Sequence, residues 1–128
     1  MDTSLPKKEH LCGEIRINKL FAGGKAFIAY PVRVVYMVPT EEQVVAVRIM
    51  FSVPKKKFKR AVDRNRIKRL MREAYRLNKN ILVEKCIEKN IRLQIAFHYV
   101  ADQELEFDVI ETKIIQALTR ISEKLITP

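Results

Sequence analysis

Apolar residues recur at two different spacings along the chain, and the change of spacing marks the predicted elements. Over 91–99 apolar and polar residues alternate, which predicts a half-buried strand with His98 on its exposed side. The segments 26–38 and 44–53 are rich in valine, isoleucine and aromatic residues, and the polar stretch PTEEQ separates them. This pattern predicts a long antiparallel hairpin, in which Pro31 marks an edge or an irregularity.

Four other segments have the spacing of helices. GEIRINKLFAGG predicts a short helix with Ile17, Leu20 and Phe21 on one face and a glycine pair as its stop, and NILVEKCIEKN predicts another that ends near Asn90. A long apolar stripe that begins at Phe107 predicts a final helix packed on the sheet. We expect one domain over residues 1–128, with 1–9 as a flexible arm.

The fourth helical segment, RNRIKRLMREAYR, divides into two arcs. At about 100° per residue, one arc is apolar and the arc centred roughly opposite is cationic. The apolar arc consists of Ile67, Leu70, Met71, Ala74, Tyr75 and Leu77. The cationic arc consists of Arg64, Lys68, Arg69, Arg72, Arg76 and Lys79.

Charge is concentrated in the same part of the chain. Residues 55–79 contain twelve basic and two acidic residues, a net charge of +10 that equals the net charge of all 128 residues. A solvated helix face commonly mixes signs, whereas this face repeats like charges at i, i+4, each pair costing about 0.2–0.5 kcal/mol. The pattern therefore indicates an external polyanion. Nucleic acid fits better than a membrane surface, which would require large apolar side chains beside the cations.

The start of this helix suggests where phosphates bind. Arg64, Asn65 and Arg66 are expected in the first turn or just before it, where free N–H groups and the helix dipole favour anions. Asn65 is equally well explained as a helix cap.

Other chemistry has little support in the sequence. Cys12 and Cys86 match no paired metal-binding spacing, and His10 and His98 are isolated, so no metal site on protein ligands is predicted. No nucleophile–base pair and no cluster of carboxylates is apparent, so no catalytic residue is assigned. The chain has no apolar run of the roughly 20 residues that span a membrane, and we expect a cytoplasmic protein.

The run FSVPKKKFKRAVDRNRIKRLMREAYR resembles the signature of the bacterial ribonuclease P protein component. The matching positions are Ser52, Lys55, Lys56, Ala61, Val62, Arg64, Asn65, Arg66, Lys68, Arg69, Arg72 and Glu73. The loop 57–60 is one residue longer than is usual in that family and lacks its glycine, so its conformation is not predicted.

The resemblance implies both a fold and a role. The fold is α+β, an α/β sandwich of helix, strands, helix, strand and helix with a mixed sheet. A left-handed βαβ crossover carries the basic helix, as in the second domain of ribosomal protein S5. The role is to bind a catalytic RNA and precursor tRNA, whose 5′ leader the holoenzyme removes by hydrolysis with Mg²⁺ held mainly by the RNA. A ribosomal or other structured-RNA binding protein without a nuclease role is the alternative, and DNA binding is not expected.

Two sets of site residues follow from the resemblance. The face toward the catalytic RNA comprises Lys55, Lys56, Arg60, Arg64, Asn65, Arg66, Lys68, Arg69, Arg72 and Arg76. A cleft for the single-stranded leader comprises Ile17, Phe21, Tyr36 and Arg48. Phe21 and Tyr36 are also explicable as plain core aromatics.

Overall fold

The computed structural model describes residues 4–126, and its elements follow the predicted order. A short 3₁₀ helix, Lys7–Glu9, precedes α1 (Glu14–Gly23), β1 (Lys25–Ala29), β2 (Val32–Met37), β3 (Val47–Ser52), α2 (Ala61–Asn78), α3 (Asn80–Lys89), β4 (Leu93–Tyr99) and α4 (Phe107–Ile126). Asn90 ends α3 in the left-handed conformation, as its position in the sequence suggested.

The four strands form one mixed sheet in the order β1-β2-β4-β3. The predicted hairpin between 26–38 and 44–53 is therefore wrong. The first segment folds back on itself at Tyr30–Pro31 to make the β1–β2 hairpin, and β3 pairs in parallel with β4. Alternation specifies which side chains face the core but not which strand is the neighbour, so the insertion of β4 between β2 and β3 was not visible in the pattern.

Helices cover both faces of the sheet, which gives the expected α+β sandwich. On one face, alternate residues of β4 such as Ile95 and Phe97 pack with α2, α3 and α4 in the main core. On the other face, Leu20 of α1 packs with Val35 and Ala96 in a smaller cluster. The helices α2 and α3 connect the parallel neighbours β3 and β4, which is the βαβ arrangement that the resemblance implies.

The N-terminal segment packs against the body, which differs from the flexible arm expected for residues 1–9. Residues 1–3 lie outside the described part of the chain. His10 bridges to Ile49, and the Leu11 N–H donates to the Ile49 carbonyl at 2.8 Å, so the segment covers the outer edge of β3. The buried Lys79 ammonium lies 2.8 Å from Glu9 Oε1 and also donates to the Ser4 carbonyl. Lys79 therefore links α2 to the N-terminal segment and does not belong to the cationic arc.

A glycine allows α1 to lie close to the sheet. A Cβ on Gly24 would lie 2.6 Å from the Leu20 carbonyl oxygen and 2.9 Å from Val35 Cγ1, closer than side-chain carbons approach such atoms. The close approach sets the position of α1 over β2.

Candidate nucleic-acid interface

The basic helix α2 begins earlier than the sequence suggested. Its first residue is Ala61, Arg60 occupies the N-cap position, and the Arg64 N–H already donates to the Arg60 carbonyl at 3.2 Å. Asn65 lies beyond the first turn and is not a cap. Asp63, an acid, occupies the first turn. The prediction that free backbone N–H groups beside Arg64–Arg66 bind phosphate is therefore wrong, because these N–H groups lie inside the helix, and only the side chains at these positions are available to an anion.

Apolar contacts fix α2 against the sheet. Ile67, Met71, Ala74 and Tyr75 are fully buried, as the helical wheel predicted. The Tyr75 ring meets the rings of Phe51 and Phe97 edge to face, each at 6.2 Å between centroids. Leu77 is 46% exposed, so its place on the apolar arc was wrong. The opposite face of α2 is thereby held outward.

Several of the predicted RNA-binding arginines are engaged within the protein. Arg66 Nη2 lies 2.6 Å from Asp63 and Arg66 Nε lies 3.3 Å from Glu104, while Arg60 lies 3.5 Å from Asp63. Arg76 pairs with Glu73 at 2.8 Å, and this hydrogen bond lowers the pKa of the Glu73 carboxyl. These arginines keep exposed nitrogen atoms, but part of their charge is already balanced.

Arg64 binds the backbone of the preceding loop. Its Nη1 atom donates to the carbonyl oxygens of Phe58 and Lys59, both at 2.9 Å. The Phe58 ring in turn packs edge to face on Tyr99 at 5.9 Å. Arg64 therefore orders the loop between β3 and α2, the loop whose conformation the sequence left open.

Six cations of this region have no ion-pair or hydrogen-bond partner within the described part of the chain. They are Lys68, Arg69 and Arg72 on α2, and Lys55, Lys56 and Lys59 on the preceding loop. We call this set the open cationic row. Beside it, Arg60, Val62, Asn65, Arg66 and Arg69 line a depression of about 650 Å³. Of the residues predicted for the RNA face, Arg60, Asn65, Arg66 and Arg69 thus lie around one depression.

The four residues predicted for a leader cleft are not brought together. Tyr36 stands opposite Ile95, which stands opposite Ile49, so all three point into the main core on the face away from α1. The assignment of Tyr36 to a cleft under α1 is therefore wrong, and the alternative of a core aromatic is correct for it. The reason is a shift of one residue, which reverses the side of the sheet.

The α1 face of the sheet carries two rows of side chains that include charged and polar groups, one on each flank of the helix. The first row is Met37, Gln94 and Arg48, which are register partners. Gln94 donates to Glu41 at 3.3 Å, and Glu41 pairs with Arg16 of α1 at 3.0 Å. The Arg16 side of α1 therefore faces this row, where the buried Arg48 Nε has no partner.

The second row is Ile28, Arg33, His98 and Ser52. His98 Nδ1 lies 3.1 Å from Ser52 Oγ, and burial, with Arg33 and Lys57 nearby, lowers the pKa of His98. His98 is therefore half-buried in a polar pair and not simply an exposed strand residue. No binding role was assigned to Arg33 or His98 from the sequence. The alternation over 91–99 did place His98 on the side of the strand away from the main core.

Helical geometry places Phe21 on the flank that faces the second row. Phe21 follows Arg16 by five residues, about 140° around α1, and Ile17 lies between Leu20 and Phe21 on the wheel. Phe21 is 41% exposed, so the core explanation does not hold for it. We infer from this geometry that the Phe21 flank of α1 and the row with Arg33 and His98 border one groove, which we call the Phe21 groove.

Groups for metal binding are absent from residues 4–126 as the structure describes them: no three histidine, cysteine or acidic side chains lie together. The acids nearest the cationic row, Asp63 and Glu73, are paired with arginines. Within the same range, none of the helices has the length and apolar character needed to cross a membrane.

Comparison with known proteins gives a consistent set of relatives. The family model described as Ribonuclease P matches residues 5–122. A Porphyromonas gingivalis protein named ribonuclease P protein component is 46% identical over 118 residues, covering 92% of this chain and 86% of that protein. A Chlorobaculum tepidum protein of the same name is 46% identical over 82 residues, covering 62% and 53% of the two chains.

Solved structures show the same fold. The RNase P protein from Thermotoga maritima superposes with a TM-score of 0.70 at 20% identity, covering 88% of this chain and 96% of that one. The Staphylococcus aureus RNase P protein superposes with a TM-score of 0.69 at 17% identity, covering 90% and 95%.

Proposed function

Since this chain belongs to the family of ribonuclease P protein components, it is a protein subunit of that ribonucleoprotein, and we propose how its surfaces serve it. The open cationic row binds the catalytic RNA. The Phe21 groove holds the single-stranded 5′ leader of precursor tRNA. The holoenzyme then cuts the leader to leave the mature 5′ end, in the bacterial cytoplasm.

The observation that carries the proposal is the state of the cations on α2. Lys68, Arg69 and Arg72 have no partner in the described chain, while buried residues such as Met71 prevent the helix from turning them away. Like charges held close together cost free energy unless an external anion balances them. The phosphates of a folded RNA supply such anions, and binding them releases condensed counterions.

The Phe21 groove has the chemistry expected for a single strand. An exposed aromatic ring offers a stacking surface for a base, and the Arg33 guanidinium offers charge to a phosphate. The lowered pKa of His98 favours the neutral imidazole near pH 7, so the pair with Ser52 can both donate and accept hydrogen bonds. Arg48, whose buried Nε has no partner, lies on the other flank of α1. It would contact the RNA leader only if the leader extended past the Phe21 groove.

We assign the hydrolytic Mg²⁺ ions to the RNA subunit. The protein acids close to the cationic row are engaged by arginines and do not fit a metal site. The chain therefore contributes by binding and orienting RNA, which makes it an accessory subunit of an endoribonuclease with its catalytic centre in the RNA.

The test is reconstitution. The protein is mixed with a bacterial ribonuclease P RNA and a precursor tRNA at low magnesium concentration, and cleavage at the mature 5′ end is followed. We expect strong stimulation over RNA alone, and a Lys68→Gln, Arg69→Gln, Arg72→Gln variant that remains folded should lose most of it. Stimulation that the variant retains in full would refute the role of the row, and absence of stimulation by the unaltered protein would refute the proposed function.

A further inference from the structure

A second cavity lies away from both surfaces, where α1 ends beside the last turns of α4. It has a volume of about 320 Å³ and is lined mainly by apolar atoms. Its lining includes Gly23, Lys25, Tyr36, Met37, Leu93 and Lys124. The volume is at the lower end of the range for small-molecule sites. The cavity lies at the Met37 end of β2, whereas the Phe21 groove lies at the Arg33 end of the same strand.

Tyr36, one of the residues that line the cavity, has a buried hydroxyl that lacks a partner. Tyr36 is 6% exposed, and its hydroxyl oxygen makes no hydrogen bond in the described structure. A buried polar group in this state destabilises the fold. The ring itself is held edge to face against Phe27 at 6.1 Å. The hydroxyl oxygen itself is buried, so a ligand in the cavity would reach it only after the ring moves.

Three cations lie near Tyr36 or its neighbour Phe27. Lys124 Nζ lies 5.9 Å from the centroid of the Tyr36 ring and 5.8 Å from that of Phe27, and Arg120 Cζ lies 4.2 Å from the Phe27 centroid. Lys25, Arg120 and Lys124 are exposed and form no ion pair in the described chain. Outside residues 55–79 the chain is electrically neutral, so three neighbouring cations are a local departure from the rest of the body.

The acidic groups nearby limit how an anion can be oriented. Glu123 directly precedes Lys124 on α4. Glu41 and Glu42 line an adjoining depression that shares Val38 and Leu125 with the cavity, and Glu41 is already paired with Arg16. An anionic group would therefore lie on the side of Lys25 and Lys124. Its uncharged body would enter among the apolar atoms of Met37 and Leu93.

We propose that this cavity binds one nucleotide, with the base in the apolar interior against Tyr36 and the phosphate on Lys25 and Lys124. A base combines a flat, largely apolar body with edge groups that can hydrogen-bond a tyrosine hydroxyl, and its phosphate matches the two ammonium groups. The nucleotide can be free or an unstacked residue of an RNA strand, since both present the same chemistry.

The experiment follows the Met37 methyl group by NMR in protein labelled with ¹³C-methyl methionine. Uridine and adenosine 5′-monophosphates and a 5′-phosphorylated dinucleotide are added separately to the full chain. We expect saturable shifts of Met37, with little change at the buried Met71 of the main core. Tighter binding of the dinucleotide would indicate a site for RNA, and equal binding would indicate a site for free nucleotides. No saturable shift with any probe would overturn the proposal.

Matched variants separate the site from general effects of charge and folding. Tyr36→Phe should leave the fold as stable or more stable, because the hydroxyl has no partner, yet weaken nucleotide binding about fivefold or more. Tyr30→Phe, at an exposed tyrosine, is its control. Lys124→Gln should weaken binding more than Lys89→Gln, a neutralisation on α3. Unchanged binding in both Tyr36→Phe and Lys124→Gln would overturn the proposal.

One further variant separates this site from the proposed function. The triple substitution at Lys68, Arg69 and Arg72 should keep mononucleotide binding at Met37 while it loses stimulation of cleavage. Failure of nucleotide binding in the unaltered protein, with cleavage still stimulated, would reject this site alone.

Discussion

Phe21 follows a fully buried leucine on α1 but keeps 41% of its own surface exposed. Exposed large apolar side chains are common on proteins, so exposure by itself says little. Here helical geometry directs the ring toward a row of the sheet that carries a guanidinium and a histidine–serine pair. If the proposed function holds, this combination of a stacking surface with polar groups makes Phe21 the residue that tests single-strand binding most directly.

Phe21→Ala should reduce the advantage of a long leader. Stacking of one base on an aromatic ring contributes about 1–3 kcal/mol, so affinity for a precursor with a leader of several nucleotides should fall about fivefold or more. Affinity for a substrate with a one-nucleotide leader should change little. Binding of both substrates to the reconstituted holoenzyme provides the measurement.

Ile15→Ala is the matched control for this prediction, because Ile15 is 74% exposed on the same helix and points away from the groove. Equal losses for long and short leaders in Phe21→Ala, or the same loss in Ile15→Ala, would contradict a stacking role.

For single residues, the sequence predicted burial well where one element's own pattern decides it. It predicted the face of the sheet poorly where pairing with another strand decides it. The alternation in β4 correctly placed Ile95 and Phe97 in the core, since one strand's pattern needs no partner. Tyr36 was placed on the wrong face because its position depends on where β1 turns into β2. The engagement of Arg64 with loop carbonyls depends on a tertiary contact, and no local pattern signals it.

At the scale of elements, the position of α1 over the sheet depends on backbone proximity at Gly24. The helix end meets β2 so closely that a Cβ at Gly24 would lie 2.9 Å from Val35 Cγ1 and 3.1 Å from the Tyr36 carbonyl oxygen. Since α1 forms one wall of the Phe21 groove, this contact also sets the width of the groove. The sequence marked the glycine pair as a helix stop but could not show which glycine is needed for packing.

Gly24→Ala should destabilise the protein by about 1–3 kcal/mol, because the added methyl group forces α1 away from β2. Gly23→Ala is the control, since a Cβ at Gly23 meets nothing within 4 Å and lies in a helix, where alanine is favoured by about 0.5–1 kcal/mol. Urea denaturation followed by circular dichroism measures both free energies of unfolding. Equal stability of the two variants would show that α1 is not held by this contact.

The other elements divide in the same way between local and distant causes. Four helices were predicted because amphipathic spacing and glycine or asparagine stops are local signals. The pairing of β3 with β4 was missed because the two strands are separated by α2 and α3, and only the resemblance implied a crossover there.

At the scale of the whole molecule, the net charge does not equal the charge that is available to a partner. The net charge of +10 resides in residues 55–79, but ion pairs and loop contacts engage Arg60, Arg64, Arg66 and Arg76, so the open cationic row is smaller than the sequence count suggests. The salt dependence of RNA binding should therefore report on the row and not on every basic residue.

Lys68→Gln and Arg72→Gln should each reduce the slope of log affinity against log salt concentration by about 0.7–0.9, because each loses one phosphate contact. Titrations of labelled ribonuclease P RNA at several potassium chloride concentrations measure the slope. Lys89→Gln, at an exposed lysine of α3, should leave it unchanged. A slope unaffected by the two α2 substitutions, or lowered equally by all three, would contradict phosphate binding by the row.

The central place of β4 also bears on how the protein is made. The β1–β2 hairpin can form as soon as it leaves the ribosome, but β3 gains its neighbour in the sheet only when residues 93–99 have been synthesised. Until then α2 has emerged with all its cations but without the sheet on which Met71 and Tyr75 pack. A nascent chain that stops before residue 93 would present these cations on an unpacked segment, to which RNA binds only through charge. Once β4 has joined the sheet, the packed helix holds the cations in fixed positions.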